Sequence, residues 1–293
     1  MPRSPRQLVN GARRRLAAAL QPPEPGGGTT IELDFPVEMQ PRWGYEHPPH
    51  PQLSSLVERG RADFADRLRG VLPFVDELAQ LPVASDDPSS PTWMNSYYQG
   101  LDAAVLYATL VQQAPGTYLE VGAGNSTLFA RRAIERHDLP TRIVAIDPDP
   151  RVAVAAAVDE HLAVPLEQAD LGRFEALEPT DVLFMDGSHR SFPNSDATVF
   201  FLEVLPRLPS GLLICVDDVF LPWDYPPTWM DRAYNEQYLL ASWLLAGDRL
   251  EVVLPNLWVC TQPDLHAILD PLWDRLGRDQ VATNGTSIWL RVR

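Results

Sequence analysis

Between residues 117 and 218, short apolar runs end one after another on an acid. They are Tyr118-Leu119-Glu120, Arg142-Ile143-Val144-Ala145-Ile146-Asp147, Asp181-Val182-Leu183-Phe184-Met185-Asp186 and Gly211-Leu212-Leu213-Ile214-Cys215-Val216-Asp217-Asp218. Runs this short and this apolar read as strands buried on both faces of a parallel sheet. The segments between them, 127–135, 151–161 and 197–205, have helical spacing, and a shorter run, Ala163-Val164-Pro165-Leu166, reads as a further strand leading to Asp170. Strand and helix in alternation predict a doubly wound α/β fold, whose ligands sit at the carboxyl ends of the strands, where these acids accumulate.

The first strand runs into Gly122-Ala123-Gly124-Asn125-Ser126. Glycines at such a turn allow positive φ and the close approach of a ligand, and the helix that follows offers free N–H groups. A lone Gly-x-Gly is weak evidence of a nucleotide site. The acids add to it: Asp147, ending the second strand, is placed to accept from ribose hydroxyls. A dinucleotide is disfavoured, because Thr127 stands where a third glycine would be and Glu120 would repel a pyrophosphate. An adenosine-like ligand with a cationic end suits Glu120, with Asp170 placed to accept from an adenine amino group.

Glu120-Val121-Gly122-Ala123-Gly124, followed by Asp147, Asp170, Asp186 and Asp217-Asp218, resembles the class I S-adenosylmethionine-dependent methyltransferases over roughly residues 93–245. The resemblance implies a Rossmann-like sheet, mostly parallel, with an antiparallel last strand at 286–292. It also implies S-adenosylmethionine as cofactor, with Glu120 at its methionine amino end, Gly122, Gly124, Asn125 and Ser126 lining it, Asp147 on the ribose and Asp170 at the adenine. A narrower resemblance, carried by Asp186-Gly187-Ser188-His189, Asp217-Asp218 and residues 234–238, is to the macrocin-type metal-dependent O-methyltransferases, which act on sugar hydroxyls of natural products. It implies Mg2+ on Asp186, Asp217 and Asp218, and His189 as general base. Oxygen ligands suit magnesium, and a histidine can take a proton near neutral pH. The plainer alternatives are that Asp186 caps loop N–H groups, that Asp217 or Asp218 caps a turn, and that His189 is an ordinary loop histidine.

The expected organisation is a helical and irregular N-terminal extension, 1–92, before a methyltransferase domain, 93–293. Within the extension, 7–20 has helical character, 21–30 is a Pro/Gly-rich joint and 52–81 carries helical apolar spacing. Further helices are expected at 101–113, 230–245 and 264–276, with a strand at 250–255. The net charge of −15 argues against nucleic acid as partner. All 24 basic residues are arginine, which excludes lysine chemistry. Arg3, Arg6, Arg13, Arg14 and Arg15 form the one basic cluster, a solvated helix face or, less simply, a targeting signal. Cys215 and Cys260 lie in apolar runs without metal-ligand spacing, and no apolar run reaches membrane-spanning length. These features suggest a cytoplasmic enzyme with a small hydroxylated substrate. An oligomer built through the N-terminal arm is an open alternative to a free tail.

Overall fold

The structure is a computed structural model that describes residues 31, 33–35, 37–150 and 154–293. The expected helix at 7–20 and joint at 21–30 lie outside the described residues. The chain divides into two compact units, 1–39 and 40–293, so the division falls well before the expected boundary at 92. Described residues of the first unit carry no regular element.

The second unit is built on a seven-stranded sheet in the order β3-β2-β1-β4-β5-β7-β6. Its strands are β1 (Thr117–Val121), β2 (Arg142–Ile146), β3 (Glu160–Leu162), β4 (Val182–Met185), β5 (Leu213–Val216), β6 (Leu250–Pro255) and β7 (Ile288–Val292). β1 to β5 pair in parallel, whereas β7 runs antiparallel to both β5 and β6. This is the doubly wound sheet with an antiparallel end that the strand pattern and the resemblance predict.

Alternation along the central strands sorts their side chains between two cores. Tyr118, Val182, Phe184, Leu213 and Cys215 face one layer, with Trp93, Trp273 and the helix Gly100–Gln113. Leu119, Val121, Leu183, Met185, Ile214 and Val216 face the other, with Phe200 and Leu240. The first layer also takes in the helices Pro51–Glu58 and Arg61–Arg69 through Val57, Phe64 and Leu68. The apolar spacing in 52–81 therefore belongs to the same core as the sheet.

Four expected elements differ. The third strand lies at Glu160–Leu162, ahead of 163–166, because its register is fixed by pairing with Val144–Ile146 and not by its own apolar content. The described part of 151–161 holds a 3-10 turn at Val154–Ala156 before that strand. The expected helix 230–245 is a 3-10 turn, Pro227–Arg232, followed by a helix at Glu236–Ala246, with Ala233 between them at φ 53°. The helix expected at 264–276 is three short turns, Pro263–His266, Ala267–Leu269 and Asp270–Leu276. Among the described residues no helix is long and apolar enough to cross a membrane.

Candidate active site

Two cavities open at the carboxyl ends of the parallel strands, and Asp186 lines both. The first, about 390 Å³, lies over the glycine turn and is lined by Gly122, Ala123, Asp147, Asp149, Leu166, Glu167, Gly187 and Asp196 among others. Its carboxylates are Asp147, Asp149, Glu167, Asp186 and Asp196, and among the described residues its lining includes no basic one. Such a cleft favours a cationic ligand.

Gly122 has φ 82°, and a Cβ there would overlap the Asp186 carbonyl oxygen, so the turn admits glycine alone. At Gly124 a Cβ would meet nothing within 4 Å, which leaves open space above the turn. Asp147 braces the turn: Oδ2 accepts from the Ala123 N–H at 2.8 Å and Oδ1 from the Asp149 N–H at 2.7 Å. Each carboxylate oxygen keeps further acceptor capacity toward the cleft.

Other expected cofactor residues are placed differently. Glu120 is fully buried and lines neither cavity. It projects to the same side of β1 as Tyr118, beneath the turn, where its carboxylate accepts from the hydroxyls of Tyr118 (3.1 Å), Ser126 and Thr127. Thr127 Oγ1 in turn accepts from the Gly124 N–H at 2.9 Å. The residue in the third-glycine position therefore ties the buried acid to the turn. Burial pushes the Glu120 carboxyl up to about 7, against the lowering effect of the three hydroxyls. Asn125 and Ser126 open the helix Asn125–His137 behind the turn and are not among the residues lining the cleft. Asp170 is absent from the lining too. Its Oδ1 accepts from the Gly172 N–H at 3.0 Å, and the preceding turn presents Pro165, Leu166 and Glu167 to the cleft in its place.

The second cavity, about 330 Å³, is lined by Asp102, Asp186, His189, Asp217, Asp218, Trp229, Arg232 and Tyr234 among others. Asp186 and Asp217 continue the parity of Phe184 and Cys215 and emerge on one side of the sheet. His189 is 5 % exposed and sits between acids: Nδ1 is 3.0 Å from Glu236 Oε2, and Nε2 is 3.1 Å from Asp186 Oδ1 and 3.6 Å from Asp218 Oδ2. Burial lowers the affinity of the imidazole for a proton, but hydrogen bonds and charge from Asp186 and Glu236 outweigh it and raise the pKa well above the usual value.

His189 (φ 60°) and Asp218 (φ 53°) both hold the left-handed backbone conformation, uncommon for residues with side chains. The His189 carbonyl is fixed there by the N–H groups of Asn235 (2.9 Å) and Glu236 (3.2 Å). Glu236 thus holds the histidine twice, by backbone and by carboxylate. It carried no expected role, because a residue 47 positions from His189 leaves no spacing signal for a loop-to-helix contact.

The three acids expected to hold magnesium line one cavity, but they are not closed into a centre. Among the described residues no group of three or more His, Cys, Asp or Glu is arranged to hold a metal ion. The reason is local: the His189 imidazole stands between Asp186 and Asp218. Asp217 Oδ1 is buried and has no partner among the described residues, and burial together with the Asp186 and Asp218 charges raises its carboxyl well above the ordinary range. Asp218, held by the Thr286 hydroxyl at 3.3 Å, is raised to about 6 by burial, against the lowering influence of His189. The donor set, oxygen only and short of cations, is of the kind a hard cation takes.

Residues 119–219 match the family model described as a methyltransferase domain. No curated protein matches the chain. Among solved structures it is similar to the SAH-bound methyltransferase PaMTH1 of Podospora anserina, with 16 % identity over 76 % of this chain and 88 % of that one and a TM-score of 0.40. An O-methyltransferase from Bacillus cereus in complex with SAH shares 20 % identity over 64 % and 82 % of the two chains, with a TM-score of 0.37. A putative O-methyltransferase from Klebsiella pneumoniae shares 18 % over 69 % and 90 %, at 0.35. The family match begins inside β1 and ends just past Asp217-Asp218, so the stretch that is similar to a methyltransferase domain spans the glycine turn, Asp147, Asp186 and His189.

Proposed function

We propose that the protein is an S-adenosylmethionine-dependent O-methyltransferase acting on a hydroxyl of a small molecule. The observation that carries the reading is the pair of adjoining cavities walled by Asp186: an acidic, glycine-floored cleft beside a second cavity furnished with a buried histidine and further acids. S-adenosylmethionine, when bound, supplies a sulfonium methyl for in-line displacement. Asp147 would hold the ribose, and the acidic walls would favour the positive charge that the cofactor carries before transfer.

The acceptor hydroxyl would lie in the second cavity beside His189. The cofactor would supply its methyl to that oxygen and leave as the neutral thioether, and the hydroxyl proton would pass to Nε2. Glu236 on Nδ1 fixes the imidazole so that Nε2 faces the cavity. In the arrangement described, both ring nitrogens face carboxylates and the imidazole is held charged, so Nε2 acts as base only after its own proton has left and Asp186 has turned to another partner. Asp186, Asp217 and Asp218 would hold magnesium, a Lewis acid that lowers the pKa of a bound hydroxyl. The unpartnered Asp217 oxygen and the all-oxygen donor set support this assignment. The position of His189 between Asp186 and Asp218 favours a second reading, in which the histidine works without a metal.

Calorimetric titration with S-adenosylhomocysteine, with magnesium and again with a chelator, tests both readings. Cofactor binding lost in Asp147→Ala, together with a separate magnesium signal lost in Asp217→Asn, is the expected result. Cofactor binding with no metal signal selects the metal-independent reading, and absence of cofactor binding refutes the proposal.

A further inference from the structure

The second cavity is electrically lopsided. Its inner end holds Asp186, Asp217 and Asp218, whereas its mouth holds Arg232, the single arginine among its lining residues in a chain without lysine. The Arg232 guanidinium lies over the Trp229 ring, 3.9 Å from the centroid, and 5.6 Å from that of Tyr234. Trp229 is itself backed by Phe220 at 5.2 Å and Tyr234 by His189 at 4.7 Å, so the platform belongs to the site. The neighbouring Arg190 is engaged: it stacks on Tyr234 at 4.9 Å, and its Nε and Nη1 donate to the Arg232 and Ser188 carbonyls. Among the described residues the Arg232 guanidinium has no such acceptor and no ion-pair partner, although the chain carries a net charge of −15.

A guanidinium stacked on an indole has its face occupied, while its N–H donors point outward in the ring plane. That is the geometry for a forked hydrogen bond to a carboxylate or phosphate. An acceptor that carries an anionic group away from its hydroxyl would then enter in one sense only. Its anion would meet Arg232 and its hydroxyl would reach His189. The reverse orientation would set the anion against three carboxylates.

From this arrangement we infer that the methyl acceptor is a small hydroxylated molecule bearing a carboxylate or phosphate, and that Arg232 is the residue that selects it. The inference rests on the methyltransferase reading for the identity of the cavity as the acceptor site. In the wild-type protein saturated with S-adenosylhomocysteine, binding of matched probes is measured by calorimetry: catechol against 3,4-dihydroxybenzoate, and glucose against glucuronate and glucose 6-phosphate. At least one anionic probe is expected to bind about ten-fold more tightly than its neutral counterpart, the gain typical of a charge-assisted forked contact. The preference should vanish in Arg232→Gln and return in part in Arg232→Lys, with S-adenosylhomocysteine affinity unchanged in both. The larger gain, for carboxylate or for phosphate, identifies the anion. Anionic probes that bind no better than neutral ones, failure of all of them included, overturn the inference, as does a preference that survives Arg232→Gln. Failure of S-adenosylhomocysteine itself to bind refutes the methyltransferase reading separately.

Discussion

Replacing Glu120 by glutamine should change how stability depends on pH in a way that locates this carboxylate. In the folded chain its pKa is about 7 against an ordinary 4.5, with burial as the main cause. Below pH 4.5 the group is neutral whether the chain is folded or not. Between 4.5 and about 7 the unfolded chain releases the proton while the folded chain keeps it, so stability falls as pH rises. At roughly 1.4 kcal/mol for each pH unit across that interval, the loss is about 3 kcal/mol, complete above pH 7.

Glutamine cannot titrate, so the variant lacks this slope. It has a defect of its own. The amide oxygen can still accept from two hydroxyls, but the amide N–H₂ faces an oxygen, Thr127 Oγ1, that already accepts from Gly124. A buried hydroxyl proton left without an acceptor costs about 1–3 kcal/mol. Glu120→Gln should therefore be clearly less stable than wild type at pH 5, and equal or more stable at pH 8. The assay is urea unfolding of both proteins across that range, read as the difference between them, so that titrations common to both cancel. Difference curves that stay level from pH 5 to pH 8 would refute the reasoning, because they would mean that Glu120 is ionised throughout, as it would be if it faced a watered cleft.

Gly122→Ala puts a Cβ onto the Asp186 carbonyl oxygen at a φ of 82°. It should abolish S-adenosylhomocysteine binding or lower the melting temperature by several degrees; a variant unchanged in both would mean that the turn relaxes freely. Glu236→Gln keeps the backbone clamp on His189 but removes a charge that holds the imidazolium. The His189 pKa measured by NMR should fall by about one unit or more, and an unmoved titration would assign the raised value to Asp186 alone.

Much of the sheet could be read from the chain because the physics there is local. Apolar runs ending in acids at Asp147, Asp186 and Asp217-Asp218 are strands that terminate at the carboxyl edge of the sheet, and each of these acids lines a cavity there. Glu120 reads like the others in one dimension. Its environment, however, depends on which side of β1 it leaves and on the hydroxyls of Ser126 and Thr127 that reach back to it, and spacing encodes neither. The third strand could not be located from its content, since Glu160 and His161 are polar and the edge of a sheet relaxes the demand for apolar residues. Glu236 meets His189 across 47 residues of sequence, and the break at Ala233 that sets Arg232 apart from the helix of Glu236 turns on one left-handed residue that propensity does not foresee.

Asp186 has a consequence for how the two cavities communicate. Its carbonyl oxygen abuts the Gly122 backbone, its N–H is bonded to the Val121 carbonyl at 2.8 Å, and its carboxylate meets His189 on the far side. One residue thus stands between the two cavities, its backbone tied to the glycine turn and its carboxylate to His189. Whatever factor an occupant of the first cavity imposes on affinity in the second must be returned in equal measure, since linkage between two sites is reciprocal. With that backbone tied in this way, the coupling should be carried by rotation of a single carboxylate, and the order in which the two ligands arrive becomes a property of that side chain.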